Sequence, residues 1–186
     1  MTSSREPTIE TKRLYQGRIV AVREDVVRLA SGKLAKREIV EHNPAVCIVP
    51  LDADGSVLMV RQYRKAVESL LLEAPAGVIE PGEEPREAAL RELREEVGHT
   101  ARRLEPLADF WLAPGYLTER MYAYLATELE RSPLKPDDDE ELEVVRVPLA
   151  EAVAKVLSGE IRDAKSIVSL LLAQRHMAPT TAPSAP

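Results

Sequence analysis

Three glutamates are spaced so that they could share one cation. Glu92 and Glu96 stand four residues apart and Glu95 stands three from Glu92, which puts the three carboxylates on neighbouring surface if the segment is helical. Like charges at this spacing oppose helix formation by about a few tenths of a kcal/mol per pair. The plain alternative is a solvated acidic face relieved by Arg91 and Arg94. Directly upstream, residues 72–84 form a loop punctuated by Gly and Pro and carrying acids of its own, among them Glu73 and Glu83. A loop backed onto a carboxylate helix can close a cage around a hard cation such as Mg2+, which takes oxygen ligands and keeps several waters or phosphate oxygens.

The helix that would carry these groups is legible from its periodicity. Ala89, Leu93 and Val97 recur at four-residue spacing, Pro85 opens the segment and Gly98 follows it. Pro near the start and Gly past the end predict a helix over Pro85–Val97, about three and a half turns long.

With the helix and loop placed, a family resemblance follows. Gly77, then five residues, Glu83, then seven residues, then the run Arg91, Glu92, Leu93, Arg94, Glu95, Glu96, Val97, Gly98 is similar to the Nudix box. His99 departs from the aliphatic residue usual after the last glycine, a change at the helix exit. The resemblance implies an α+β fold, a Nudix-type α/β/α sandwich with a mixed central sheet and an extra N-terminal antiparallel sheet. It also implies hydrolysis of a nucleoside diphosphate linked to another moiety. Glu92 and Glu96 match the main metal ligands, Glu95 a further ligand or orienting group, and Ala76 a backbone carbonyl ligand. Gly77, Glu83, Arg91 and Gly98 match structural positions, with Arg91 as an orienting ion-pair partner of Glu95 or of a loop glutamate.

Further segments resemble the ADP-ribose pyrophosphatase subfamily. Pro114 and Gly115 form a Pro-Gly pair, Pro114 lying sixteen residues after Gly98, and residues 37–42, 60–64 and 159–165 look like pieces of the same group. The resemblance then spans Ile9 to Arg175. It implies that Arg37, Glu41, Arg61, Arg64, Glu73, Pro114 and Gly115 lie on the substrate side, the arginines suiting a diphosphate through forked hydrogen bonds. The acidic run Asp137–Glu141 aligns with a loop that supplies the catalytic base. Glu140 is the expected base, with Asp138 and Glu141 as alternatives. Mg2+ is the expected ion, with Mn2+ and Zn2+ open, because an all-oxygen site discriminates weakly by ligand type. The implied substrate is ADP-ribose, cleaved to AMP and ribose 5-phosphate. Another nucleoside diphosphate derivative, or a module that senses ADP-ribose without cutting it, are the alternatives. Adenine would need a flat apolar surface, for which Tyr15, Tyr63, Phe110, Trp111 and Tyr116 are candidates.

Around these residues, a chain of 186 residues, 45% of them apolar and 30% charged, has the balance of a soluble globular protein. A formal charge of −6 with no basic run argues against a nucleic-acid partner. The single cysteine, Cys47, sits in an apolar run and cannot form an intrachain disulfide. No stretch approaches the ~18 apolar residues of a membrane span, so a cytoplasmic protein without a membrane partner is expected. Residues 45–51 and 57–60 around the turn 52–55 read as a hairpin, and residues 18–29 and 36–40 as a second antiparallel pair. Residues 121–126 and 143–147 read as further strands, and 149–158 and 164–175 as helices. The expected organisation is N-terminal strands over 1–44, paired with or capping the neighbour in a homodimer, a Nudix domain over 45–177, and a disordered tail over 178–186.

Overall fold

The computed structural model describes residues 5–135 and 142–178. Glu140 and its alternatives Asp138 and Glu141 lie outside the described residues, as does the expected tail beyond Ala178. The chain divides into two compact units, one made of residues 1–44 and 110–120, the other of residues 45–109 and 121–186.

In the smaller unit, β1 (Thr8–Gln16), β2 (Val20–Arg28) and β3 (Leu34–His42) form an antiparallel sheet in that order. Here β2 and β3 are the antiparallel pair expected from sequence. The strand β1 has no expected counterpart, for a physical reason: all nine of its residues are exposed, so it carries no one-sided apolar alternation to read. Segment 110–120 joins this unit through Val40, whose N–H donates to the Tyr116 carbonyl at 2.7 Å and whose carbonyl accepts from Thr118 N–H at 3.0 Å.

The larger unit holds the core. Its strands are β4 (Ala45–Pro50), β5 (Ser56–Arg64), β6 (Ser69–Glu73), β7 (Ala76–Val78), β8 (His99–Trp111), β9 (Arg120–Arg131) and β10 (Glu143–Pro148), β8 and β9 running on at their far ends into segment 110–120. They make a four-stranded sheet ordered β7-β4-β9-β8 and a three-stranded sheet ordered β10-β5-β6. The four-stranded sheet is mixed, since β4 runs parallel to β9 and antiparallel to β7. The helices are α1 (Pro85–Glu96), α2 (Leu149–Leu157) and α3 (Ala164–Met177).

Burial on both faces explains why β4 is an unbroken apolar run. Successive strand residues point to opposite faces. Val46 and Ile48, with Leu58 and Val60 of β5, pack on Ala88, Ala89, Leu93 and Val97 at α1. Val49 and Leu51, with Val57 and Met59, pack on Ala152 and Val153 of α2 and Leu170 and Ala173 of α3. Helices on both sides of the strands give the expected α/β/α layering.

One expectation is corrected. The turn between β4 and β5 forms, with Asp52 N–H donating to Ser56 O at 2.8 Å and Gly55 at φ +81°. The strands, however, meet only in a bridge between Leu51 and Val57 and then part into different sheets. Both edges of β4 are taken by β7 and β9, so no ladder edge remains for β5. Strand β8 is likewise a finding of the structure, as its charged and proline-bearing sequence hides any alternation.

Pro85 occupies the first turn of α1, where its missing N–H costs nothing. Gly98, at φ +71° just past the helix, takes the left-handed conformation that ends it. Leu93 is wholly buried against β4 and β5. Leu93→Ala is expected to cost about 2–5 kcal/mol in urea unfolding, and Leu90→Ala, at a partly exposed position of the same helix, clearly less.

Candidate active site

Strand β7 pairs with β4 through Ala76 opposite Cys47 and Gly77 opposite Val46. Two glutamates of α1 close onto this short strand. Ala76 N–H donates to Glu96 Oε2 at 3.0 Å. A Cβ on Gly77 would lie 1.9 Å from Glu92 Oε1, so the Glu92 carboxylate fills the space that any other side chain would need. Glu92 and Glu96 are 8% and 6% exposed, unlike the solvated acidic face that charge alone would suggest.

Crowded carboxylates in a half-dry place need a cation, and Arg91 supplies it. Its Nη1 donates to Glu92 Oε1 at 2.7 Å and to Glu95 Oε2 at 2.9 Å. Its Nε and Nη2 fork onto Glu83 at 2.9 and 3.0 Å, and Nη2 also reaches the Val78 carbonyl at 3.0 Å. A planar guanidinium can serve this many acceptors at once. The sequence left Glu95 or a loop glutamate open as the partner of Arg91; the structure brings Glu95 and Glu83 together on it, with Glu92 besides. Hydrogen bonding to Arg91 holds the Glu83 carboxyl below its ordinary range, and the same bond raises the Arg91 pKa further.

The donor set suits a hard divalent cation: carboxylate oxygens of Glu92 and Glu96 over a backbone strand, with no soft ligand among them. Among the described residues, no three His, Cys, Asp or Glu side chains gather closely enough to hold an ion on their own. Arg91 engages Glu95 and one oxygen of Glu92, so a cation here needs backbone, water or substrate oxygens to complete its shell.

A second charged cluster lies at the end of β6. Arg64 forks onto Glu73 through Nε and Nη2 at 2.9 and 2.8 Å, while Lys165 Nζ donates to the same carboxylate at 2.5 Å. Glu73, expected on the substrate side, is 1% exposed and both of its oxygens are engaged. Burial opposes its charge, but the bonds from Arg64 and the charge of Lys165 prevail and lower its pKa. Arg61 sits three residues from Arg64 on the same strand and therefore on its other face, near Glu143 at 3.7 Å. The structure does not bring the two arginines together.

Four expected substrate-side residues belong to the smaller unit. Arg37 forks onto Glu6 at 2.9 and 2.8 Å. Glu41 is clasped by Arg13 and Arg23. Pro114 and Gly115 are exposed in a turn closed by Tyr116 N–H on Ala113 O at 3.1 Å. Back in the larger unit, His99 Nδ1 meets the Val97 carbonyl at 2.7 Å, and burial pushes the Cys47 thiol up to about 12, as befits a core residue. The sequence reading quoted Asp163 and Lys165 within the segment 159–165 that resembles the subfamily but gave neither a role, and it did not single out Ser166. A further signal was a lysine in the first turn of an apolar helix, just after an aspartate in the N-cap position.

Comparison with known proteins agrees with this geometry. A NUDIX domain model matches residues 41–171, and a model described as the nucleoside diphosphate sugar hydrolase N-terminal domain matches residues 6–40. The chain is 39% identical to an ADP-ribose pyrophosphatase of Bacillus subtilis (strain 168), covering 91% of this chain and 93% of that one. It is 41% identical to an ADP-ribose pyrophosphatase of Mycobacterium tuberculosis (strain ATCC 25618 / H37Rv), covering 88% and 81%. A crystal structure of an ADP compounds hydrolase superposes with a TM-score of 0.84 at 30% identity, covering 92% of this chain and 93% of that one. The chain belongs to the Nudix family and is a Nudix pyrophosphohydrolase, a family that generally depends on divalent metal.

Gly77→Ala tests the close approach of helix and strand. The added methyl must displace the Glu92 carboxylate, so kcat/KM is expected to fall by about 100-fold or more, as for misplacement of a reacting group, with the far-UV circular dichroism spectrum kept.

Proposed function

We propose that this enzyme hydrolyses ADP-ribose to AMP and ribose 5-phosphate in a Mg2+-dependent reaction that Mn2+ also supports. The observation that carries the reading is the carboxylate cluster at Gly77, in which Arg91 holds Glu92 and Glu95 and the Ala76 N–H holds Glu96. Relatives named ADP-ribose pyrophosphatase, matched over most of their length, support the choice of substrate.

In this reading Glu92, Glu96 and the Ala76 carbonyl hold the cation, and Glu95 ligates or orients. When bound, the divalent ion offsets charge on the diphosphate and lowers the pKa of water toward neutrality. Arg91 keeps the carboxylates close despite their repulsion, with Glu83 as its loop anchor. Arg64, gripped by Glu73 on one edge, presents Nη1 to a diphosphate oxygen, while Arg61, on the other face of that strand near Glu143, has no part in this contact. Glu140 takes the proton of the attacking water. One P–O bond of the diphosphate breaks as the water oxygen bonds to phosphorus, and the two phosphates leave on AMP and ribose 5-phosphate. Arg37, Glu41, Pro114 and Gly115 contact the nucleoside or ribose side. The enzyme works in the cytoplasm as a homodimer, free of membrane and nucleic-acid partners; in the described residues no helix is long and apolar enough to cross a membrane.

A second reading, hydrolysis of another ADP compound, is favoured by the likeness to the ADP compounds hydrolase structure. A sensing role without cleavage is disfavoured by the presence of all three box glutamates.

Product analysis separates these readings. With Mg2+, ADP-ribose should yield equal amounts of AMP and ribose 5-phosphate, faster than nucleotide sugars or dinucleoside polyphosphates are cut, and a chelator should abolish turnover until Mg2+ is restored. Intact ADP-ribose beside a rapidly cleaved competitor would overturn the substrate. Glu140→Gln should lower kcat by about 100-fold or more with little change in KM, and wild-type turnover would pass the role to Asp138 or Glu141. Light scattering should give twice the chain mass.

A further inference from the structure

The segment Ala74–Gly77 is gripped from two sides. On one side stand Glu92 and Glu96 of α1. On the other stands the first turn of α3, and the two residues Ala74 and Pro75 that link β6 to β7 leave little slack between them. Ala74 is 1% exposed, so its N–H must find an acceptor inside the protein. That acceptor is Ser166 Oγ at 2.7 Å.

Ser166 can accept there because its own proton goes elsewhere. Its hydroxyl donates to Asp163 Oδ2 at 2.5 Å, which turns a lone pair toward Ala74. The same Asp163 oxygen caps α3 by accepting Ser166 N–H at 3.0 Å. Lys165 Nζ then donates to Asp163 Oδ2 at 2.8 Å and to Glu73 Oε2 at 2.5 Å. Its backbone carbonyl accepts the Cys47 thiol, and Cys47 pairs with Ala76 across the ladder. One ammonium thus bridges two carboxylates, Asp163 at the N-cap of α3 and Glu73 at the end of β6, and Arg64 supplies the second positive charge.

We propose that Lys165 is a positioning residue of the hydrolytic site, tying the start of α3 to the end of β6 so that Ala74–Gly77 is held at the height where Ala76 and Gly77 meet Glu96 and Glu92. Burial disfavours the charge on Lys165, yet Asp163 and Glu73 outweigh it and raise its pKa, so the ammonium is kept. Removing it leaves Glu73 and Asp163 facing each other with one cation fewer. Two carboxylates left with Arg64 as their one cation force a shift of side chains or protons, and the adjoining two-residue link transmits the shift to Ala76. Lys165 touches no reacting atom; it acts through Glu73, Asp163 and Ser166. The inference rests on the proposed function for its kinetic readout, though not for its structural one.

Lys165→Met keeps the apolar stem and removes the charge. In the full chain without substrate, amide hydrogen exchange at Ala74 and Ala76 should be about tenfold faster than in the wild type, with exchange in the core of β9 unchanged. With ADP-ribose and Mg2+, kcat should fall by about 10–100-fold, the range for residues that orient a metal site, while KM stays within about threefold, because Arg64 keeps its fork onto Glu73 and with it the substrate contact. If Lys165→Met does not fold, Ser166→Ala carries the test by removing only the acceptor of Ala74 N–H, and the same acceleration at Ala74 with a lower kcat is expected. Unchanged exchange at both amides in a folded variant overturns the proposal. So does wild-type kcat beside accelerated exchange, since the segment would then move without consequence. Should the wild-type protein leave ADP-ribose intact, the proposed substrate fails, and exchange alone decides for or against the tie.

Discussion

Carboxylates brought together away from bulk water repel one another, and the larger unit is organised around containing that repulsion. Glu92 and Glu96 cannot spread into solvent, because the helix face that carries them also carries Leu93, which is wholly buried, and Glu95 stands at the edge of that face. The compensation is a single guanidinium that reaches Glu83, Glu92 and Glu95 together. A lysine could not substitute, since a point charge on a flexible stem lacks the fixed fork that meets several acceptors in one plane. The same constraint explains Gly77: space for the Glu92 carboxylate exists only where the facing strand has no side chain.

Placement of that helix follows from the strands beneath it. Alternate residues of β4 and β5 serve opposite helical layers, so a one-residue slip in either strand would exchange the two core faces. Register here is set by burial on both sides, and with it the height of β7 relative to α1. Two carboxylate-cation clusters then bracket the same four residues. Arg91 organises the cluster on the α1 side, and Lys165 and Arg64 organise the one at the end of β6 and the start of α3. Buried ionic groups of this kind contribute little net stability; their effect lies in fixing where a short backbone segment sits.

For a pyrophosphohydrolase this arrangement has a clear use. A diphosphate carries its charge on oxygens spread over several ångströms, and cleavage requires that opposite charge be in place before the substrate arrives. A backbone strand clasped between two charged clusters fixes where the carboxylates that would bind a divalent cation stand, whereas flexible side chains alone would spend binding energy on their own ordering.

How far the sequence could be read depended on whether a signal was local. Helix α1 was legible because apolar spacing, the opening Pro85 and the closing Gly98 all act within its own residues. The box glutamates and Arg91 were legible because their three- and four-residue spacings stand in a motif, with Gly77 and Glu83 ahead of them, that carries the family resemblance; spacing alone would equally fit a solvated acidic face. The parting of β4 from β5 was not legible, since it follows from β7 and β9 competing for the edges of β4, and those partners lie far along the chain. Strand β1 escaped notice because full exposure erases its pattern.

Thus the amino-acid order alone determined the acidic helix, through periodicity and short-range spacing, and it carried the motif whose resemblance implied the family and the layered fold. Tertiary structure decided which charges meet: Arg64 with Glu73 and not with Arg61, and Lys165 with Glu73 across 92 positions of chain. Such pairings depend on which buried faces are pressed together, and no spacing along the chain encodes that.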